Sequence, residues 1–250
     1  MEDLFKEALM VMRNAFHHME ACVPQPQIQS WQKVFHFRYS EKSIEQALIQ
    51  KLARTVSGLT AVNVLLSKGL GQEQGVLQRV LDDIGEDIQF LSLAISDDSI
   101  TKLHQEYLEA FYAEEFNANG PNSNNKKPNN VQRKKIRAYL LRVGRRKAND
   151  FKLTNALASL HSAYSGFVHA ASPHIMEMYG GNPPRFHVEG MLNTPRMYSY
   201  TQDAWNYFNR GLMSFGIVAA ALKEDQLFVS LDAYLQKFEK DSALFREHWN

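Results

Sequence analysis

The sequence predicts an all-α protein. Apolar residues recur at helical spacing along almost the whole chain, and no stretch gives a convincing run of strand-like alternation. Prolines such as Pro24 and Pro26, and the glycines Gly69 and Gly71, fall between periodic stretches, where they end helices. No internal repeat is present. The expectation is one domain over 1–250, with about eight mostly antiparallel helices around a shared core and a surface loop at 117–130.

Leu4, Ala8, Leu9, Met12, Phe16 and Met19 share one face of a first helix, which Val23-Pro24-Gln25-Pro26 ends. Ser40-Glu41 reads as a cap with an acidic first turn for a second helix, whose stripe is Ile44, Leu48, Leu52, Leu59, Val62 and Leu66. Gly69 and Gly71 break it. Val76, Val80, Leu81, Ile84, Ile88 and Leu91 predict a third helix, and Asp98 or Ser99 is the expected cap of a fourth with Leu103, Tyr107, Leu108 and Phe111 inside. Residues 117–130, NANGPNSNNKKPNN, offer nothing to bury and favour turns. Ile136, Tyr139, Leu140 and Val143 mark a fifth helix; Leu153, Leu157, Leu160, Tyr164, Phe167 and Val168 mark a sixth. Ser172-Pro173 can open a short helix ending before Gly180-Gly181, and residues 185–188 can be extended. Thr194-Pro195 starts the next helix, with Trp205, Phe208, Leu212, Phe215, Ala219 and Leu222 inside, and Leu227, Leu231, Tyr234, Leu235 and Phe238 give the last.

The chain has 250 residues with 44% apolar and 22% charged content, so a disordered or collagenous chain is excluded and a large core can form without a metal or disulfide. Cys22 is the only cysteine, so no intramolecular disulfide forms. The acidic start Met1-Glu2-Asp3 is unlike a secretory signal, and no apolar run reaches the ~20 residues of a membrane span. The expectation is a cytoplasmic protein with no membrane partner.

Common catalytic signatures are missing: no phosphate-binding glycine loop, no Glu-x-x-His, no helical His pair of the zincin kind. No cofactor and no metal are expected, and Cys22, beside two prolines, reads as a bystander. The densest polar constellation is 157–181. His161, Ser165 and His169 are spaced i, i+4, i+8 and form one helical stripe expected to be partly buried, with Tyr164, His174, Glu177 and Tyr179 near its end. The stripe is either a set of interhelical hydrogen bonds or a site in which His169 acts as acid or base. Arg79 and Asp83 are i, i+4 on the third helix, either as a surface ion pair or with Arg79 turned toward Ser165 and His169.

An Arg-x-x-x-acid helix (Arg79, Asp83) followed by a Ser-x-x-x-His helix (Ser165, His169) resembles a group of uncharacterised bacterial helical proteins likened to the HEPN superfamily. The usual acid of that pattern is Glu, and Asp83 departs from it. The resemblance spans about residues 40–175 and implies a HEPN-like bundle with extra helices. It also implies one of two roles: a metal-independent ribonuclease, or an inactive relative in a defence or toxin–antitoxin setting. The HEPN ribonuclease motif, Arg followed by His after four to six residues, is matched at Arg13 to His18, with Asn14 directly after the Arg. In that role Arg13 would stabilise phosphate charge and His18 would move the proton for attack by a 2′-hydroxyl.

The net charge of +1 conceals a division. Residues 126–147 carry ten bases and no acid, while the rest of the chain carries 18 bases and 27 acids. On a helical wheel Ile136, Tyr139, Leu140 and Val143 share one face, and most of the cations span the opposite arc. Arg133, Lys134, Arg137, Arg142, Arg145 and Arg146 are the candidate contacts to RNA or DNA phosphate. The competing reading is a solvated face partly neutralised by Glu106, Glu109, Glu114 and Glu115. The functional expectation is a nucleic-acid-binding helical protein, with a non-catalytic scaffold or small-ligand binder as the alternative; a homodimer is allowed by either.

Overall fold

The computed structural model describes residues 1–31, 34–113, 116–117, 120–121, 130–147 and 165–247; side chains at 31, 34, 116, 117, 120, 121, 144–147 and 244–247 lie outside that description. The helices are α1 (Glu2–Glu20), α2 (Ile44–Ser67), α3 (Gly71–Ser96), α4 (Lys102–Phe111), α5 (Arg133–Lys147), the short α6 (Ser172–Met176), α7 (Arg196–Ala221) and α8 (Asp225–Glu247), with a further helical turn at 165–168. The protein is all-α, and α1, α2, α3 and α7 share one core; α8 packs outside α7 and α1, and α5 packs on α3.

The apolar stripes explain the packing. Phe5 of α1 stacks on Phe208 of α7 with ring centroids 4.4 Å apart, both fully buried. Leu48, Leu52, Leu59 and Val62 of α2 meet Ile84, Ile88 and Leu91 of α3 in the same cluster. Close approaches use glycine. A Cβ on Gly71 would stand 2.2 Å from the Tyr200 ring, and one on Gly75 2.6 Å from the Phe167 ring. Val76 and Val80, expected on the buried face of α3, are exposed instead; Gln74, Gln78, Asp82 and Asp87 take buried places. That helix approaches its neighbours through small residues and hydrogen-bonded polar ones, so hydropathy alone misplaces its face.

The caps move slightly. Ser43, not Ser40, caps α2: its side chain accepts from the Gln46 N–H while Gln46 reaches back to the Ser43 N–H. Thr101, not Asp98 or Ser99, is the N-cap of α4. Gly69 ends α2 at φ 71°, with Leu70 N–H donating to Leu65 O and Gly69 N–H to Leu66 O, a Schellman turn.

One expectation is corrected outright. Gln27–Trp31 (β1) and Val34–Arg38 (β2) form an antiparallel hairpin with Ile28 opposite Phe37 and Ser30 opposite Phe35. Ile28, Phe35 and Phe37 on one of its faces are exposed. Gln32-Lys33 between the strands contains neither Asn nor Gly, so the strongest hairpin signal is missing. Further two-residue pairings are Phe116–Asn117 (β3) with Gly120–Pro121 (β4), and Tyr179–Gly180 (β5) with Arg185–Phe186 (β6). Most of the expected 117–130 loop and of the sixth helix, including His161 and Tyr164, lies outside the described residues. No described helix is long and apolar enough to cross a membrane.

Candidate functional site

The basic helix α5 is the best-built candidate. Ile136 and Tyr139 are buried and Leu140 and Val143 pack against the core, so the apolar face is used inward as the wheel requires. The cations then divide. Arg133 reaches α3, where its guanidinium donates to both oxygens of Asp87, and its Nη1 donates to the Asp83 carbonyl at 3.1 Å. Arg137 Nε donates to Glu86 Oε1 at 2.7 Å. Lys134, Lys135 and Arg142 remain exposed, and the Arg142 guanidinium lies 5.5 Å from the centre of the Tyr139 ring. The backbone of Arg145 and Arg146 continues the helix; their side chains lie outside the described residues. Neutralisation of α5 thus comes in part from Glu86 and Asp87 of α3. Among the described residues, Glu106 instead lies 3.9 Å from Lys102 on its own helix.

This acidic side of α3 clamps three other helices. Lys51 of α2 donates to Asp87 Oδ2 at 2.8 Å, and Arg210 of α7 donates to Asp82 Oδ1 at 2.6 Å beside the Tyr207 hydroxyl at 3.0 Å. Burial, the largest influence, would lower the Arg210 pKa, but the charges and hydrogen bonds of Asp82 and Tyr207 together outweigh it and the net shift is upward. Burial, with the Asp87 charge added, drives the Tyr107 hydroxyl far above the usual tyrosine range. A buried charge without its partner would be costly, so each of these pairs fixes where its helix docks. Sequence reading named neither Lys51 nor Arg210, and took Asp82 and Asp87 only as neighbours of the Arg79–Asp83 pair. The signal available was the run Asp82, Asp83, Glu86, Asp87 on a helix too apolar to leave all its acids in water.

Arg79 forms its ion pair with Asp83, 2.7 Å away on the same helix. Ser165 is half-buried and His169 is exposed; the Ser165 carbonyl accepts the His169 N–H, continuing the helical turn. No described hydrogen bond or ion pair joins Arg79 to Ser165 or His169. The half-buried part of this region is different: the His174 ring packs against Gly166 and edge-on to Phe167, and Gln72 donates to the His174 carbonyl at 2.8 Å. Arg13 and His18 are five residues apart, so they point about 140° apart around α1. Arg13 Nε donates back to Leu9 O at 3.2 Å, while His18 Nε2 donates to Glu224 at 2.8 Å. The pair does not converge.

Two surface grooves lie along the N-terminal part of α7 and the segment before it. One of about 1000 Å³ is lined by Met197, Tyr198, Thr201 and Trp205, among others; one of about 410 Å³ by Glu177, Tyr179, His187 and Arg196. Arg79, Ser165 and His169 line neither. Comparison with protein-family models, curated proteins and solved structures finds no match.

Proposed function

We propose that the protein binds RNA without cleaving it, through the outer face of α5. The observation that carries this reading is the division of labour on that helix. Arg133 and Arg137 anchor it to Asp87 and Glu86, and Lys134, Lys135 and Arg142 stay in solvent. An anchored helix presents these cations without having to be ordered on binding, and closely spaced cations release counterions from a phosphate chain. Binding rather than catalysis is favoured because Arg13 diverges from His18 and Arg79 is engaged by Asp83. In this reading a HEPN-like ancestry accounts for an inactive relative. The test is fluorescence anisotropy with a short labelled RNA across a salt series. Affinity should fall steeply between 50 and 200 mM salt, roughly tenfold or more for three phosphate contacts. The Lys134→Glu, Lys135→Glu, Arg142→Glu triple variant should lose most of the binding. Wild-type binding that ignores salt, or a triple variant that binds normally, rejects the proposal.

A second reading has one observation of its own. The larger groove places Trp205 and Tyr198 beside Thr201 and Gln202, an apolar floor with polar groups at its side, as small-ligand sites have. A small molecule that raises the melting temperature of the wild type but not of Trp205→Ala would favour it.

A further inference from the structure

His18, Cys22 and Glu224 come together although 202 residues separate the last two. His18 lies in the last turn of α1 and Cys22 two residues past its end, in the turn that follows, where Cys22 Sγ donates to the His18 carbonyl at 3.4 Å. Glu224 is delivered from the corner between α7 and α8. A Schellman turn sets it there: Glu224 N–H donates to Ala219 O at 2.9 Å and Lys223 N–H to Ala220 O at 3.1 Å. The turn requires a left-handed residue, and Lys223 occupies that place at φ 62°, a conformation that favours glycine. The Glu224 carbonyl accepts the Phe228 N–H of α8, so its backbone is held on both sides. Its side chain turns to α1. One carboxylate oxygen accepts from His18 Nε2 at 2.8 Å, and the other lies 3.4 Å from Cys22 Sγ.

We propose that His18, Cys22 and Glu224 form a zinc site, with a nitrogen, a sulfur and an oxygen donor and a water in the fourth position. The three donor atoms all lie within 4.8 Å of one another. Zinc bonds of about 2.0–2.1 Å to nitrogen and oxygen and about 2.3 Å to sulfur imply tetrahedral edges of about 3.3–3.6 Å. The Cys22–Glu224 separation of 3.4 Å already fits. That edge uses Glu224 Oε1, whereas His18 Nε2 now bonds Oε2 at 2.8 Å, so His18, exposed at the surface, must turn away from Oε2 to share an ion held by Oε1. The thiol and imidazole select a borderline-soft ion; calcium and magnesium take oxygen ligands instead. On binding, Cys22 coordinates as the thiolate and its proton passes to solvent, and the His18 hydrogen bond to Glu224 is replaced by two bonds to the metal. The metal would tie the end of α1 to the α7–α8 corner, with one coordination position open to solvent. The sequence reading treated Cys22 as a bystander and expected no metal. Glu224 is what changes that, and no spacing rule connects it to α1.

The experiment is a titration of the reduced, metal-free full-length protein with cobalt(II) as a spectroscopic stand-in for zinc. The expected result is one equivalent bound, with a near-ultraviolet thiolate-to-cobalt charge-transfer band that zinc bleaches by displacement. Cys22→Ser should abolish the band. His18→Ala and Glu224→Gln should each weaken binding about tenfold or more, since even outer-shell partners of a metal are worth that much. All three positions are at the surface, and circular dichroism checks that each variant is folded. No saturable cobalt binding by the wild type overturns the proposal. So does metal binding of undiminished affinity in the His18→Ala, Cys22→Ser double variant, which would place the ion elsewhere.

Discussion

Arg133 of α5 forms a two-pronged ion pair with Asp87 of α3, a carboxylate with no exposed surface. The same carboxylate also accepts from Lys51 of α2, so one buried acid joins three helices. Removing it would leave two cations facing each other beside the Tyr107 ring. Asp87→Ala is expected to cost about 3–5 kcal/mol, the range for breaking a buried pair from one side. Urea denaturation followed by circular dichroism measures it. Lys6→Ala, which breaks a pair with Glu2 at the open surface, should leave the unfolding midpoint unchanged within error. Equal effects from the two variants would remove the buried acid from its proposed role.

Two neighbouring cations on α5 should fail in opposite ways. Arg137→Gln loses a partly buried bond to Glu86 and should destabilise by about 1 kcal/mol. Lys134→Gln touches no acid in the described contacts; stability should hold while RNA affinity falls and the salt slope decreases by about one. Thermal melts and anisotropy on the same two proteins separate anchoring from binding.

Stability should depend on pH through His104. Its ring is fully buried and stacked on Phe90 at 4.0 Å. Nδ1 accepts the Thr101 N–H at 3.0 Å, so Nε2 carries the hydrogen and faces the Phe90 carbonyl at 3.3 Å. Burial lowers the pKa below its ordinary 6.5, with the Phe90 carbonyl opposing. The neutral form is therefore the folded one. Its contribution is complete above about pH 6.5 and is lost as pH falls below that value, where the unfolded chain takes up the proton first. The melting temperature should drop between pH 7.5 and 5, and His104→Phe should flatten that part of the curve. A wild-type profile that is level or rises on acidification contradicts it.

Gly71→Ala and Gly75→Ala should each destabilise, although alanine is the better helix former by about 1 kcal/mol. The added methyl would stand against the Tyr200 ring in one case and the Phe167 ring in the other. Overpacking of this kind costs about 1–3 kcal/mol. Gly85→Ala on the same helix meets only the tip of Arg210 at 4.0 Å and should be neutral or stabilising. Chemical denaturation of the three variants checks the ordering.

Local patterns carried much of this protein. The 3.6-residue period of Leu4, Ala8, Met12 and Met19, or of Phe208, Leu212, Phe215 and Ala219, is a local property, and those residues are buried as the period requires. Gly69 ends α2 because its left-handed turn is also local. The β1–β2 hairpin escaped because it has no turn dipeptide and, among its described side chains, none is fully buried, with Phe35 and Phe37 in solvent. Contacts across the fold were decided elsewhere. Whether Arg133 meets RNA or Asp87, and whether His18 meets Arg13 or Glu224, depends on which helices lie side by side.

The sequence by itself determined the helical class, the apolar faces of α1, α2 and α7, and the concentration of positive charge at 126–147. Periodicity, composition and charge are all countable along a chain. Only the tertiary structure decided how that charge is spent, which acids receive Arg133 and Arg137, and that Glu224 closes on His18 and Cys22. Those pairings join residues 46 to 206 positions apart, and the free energy of a charge depends on what faces it after the helices have packed.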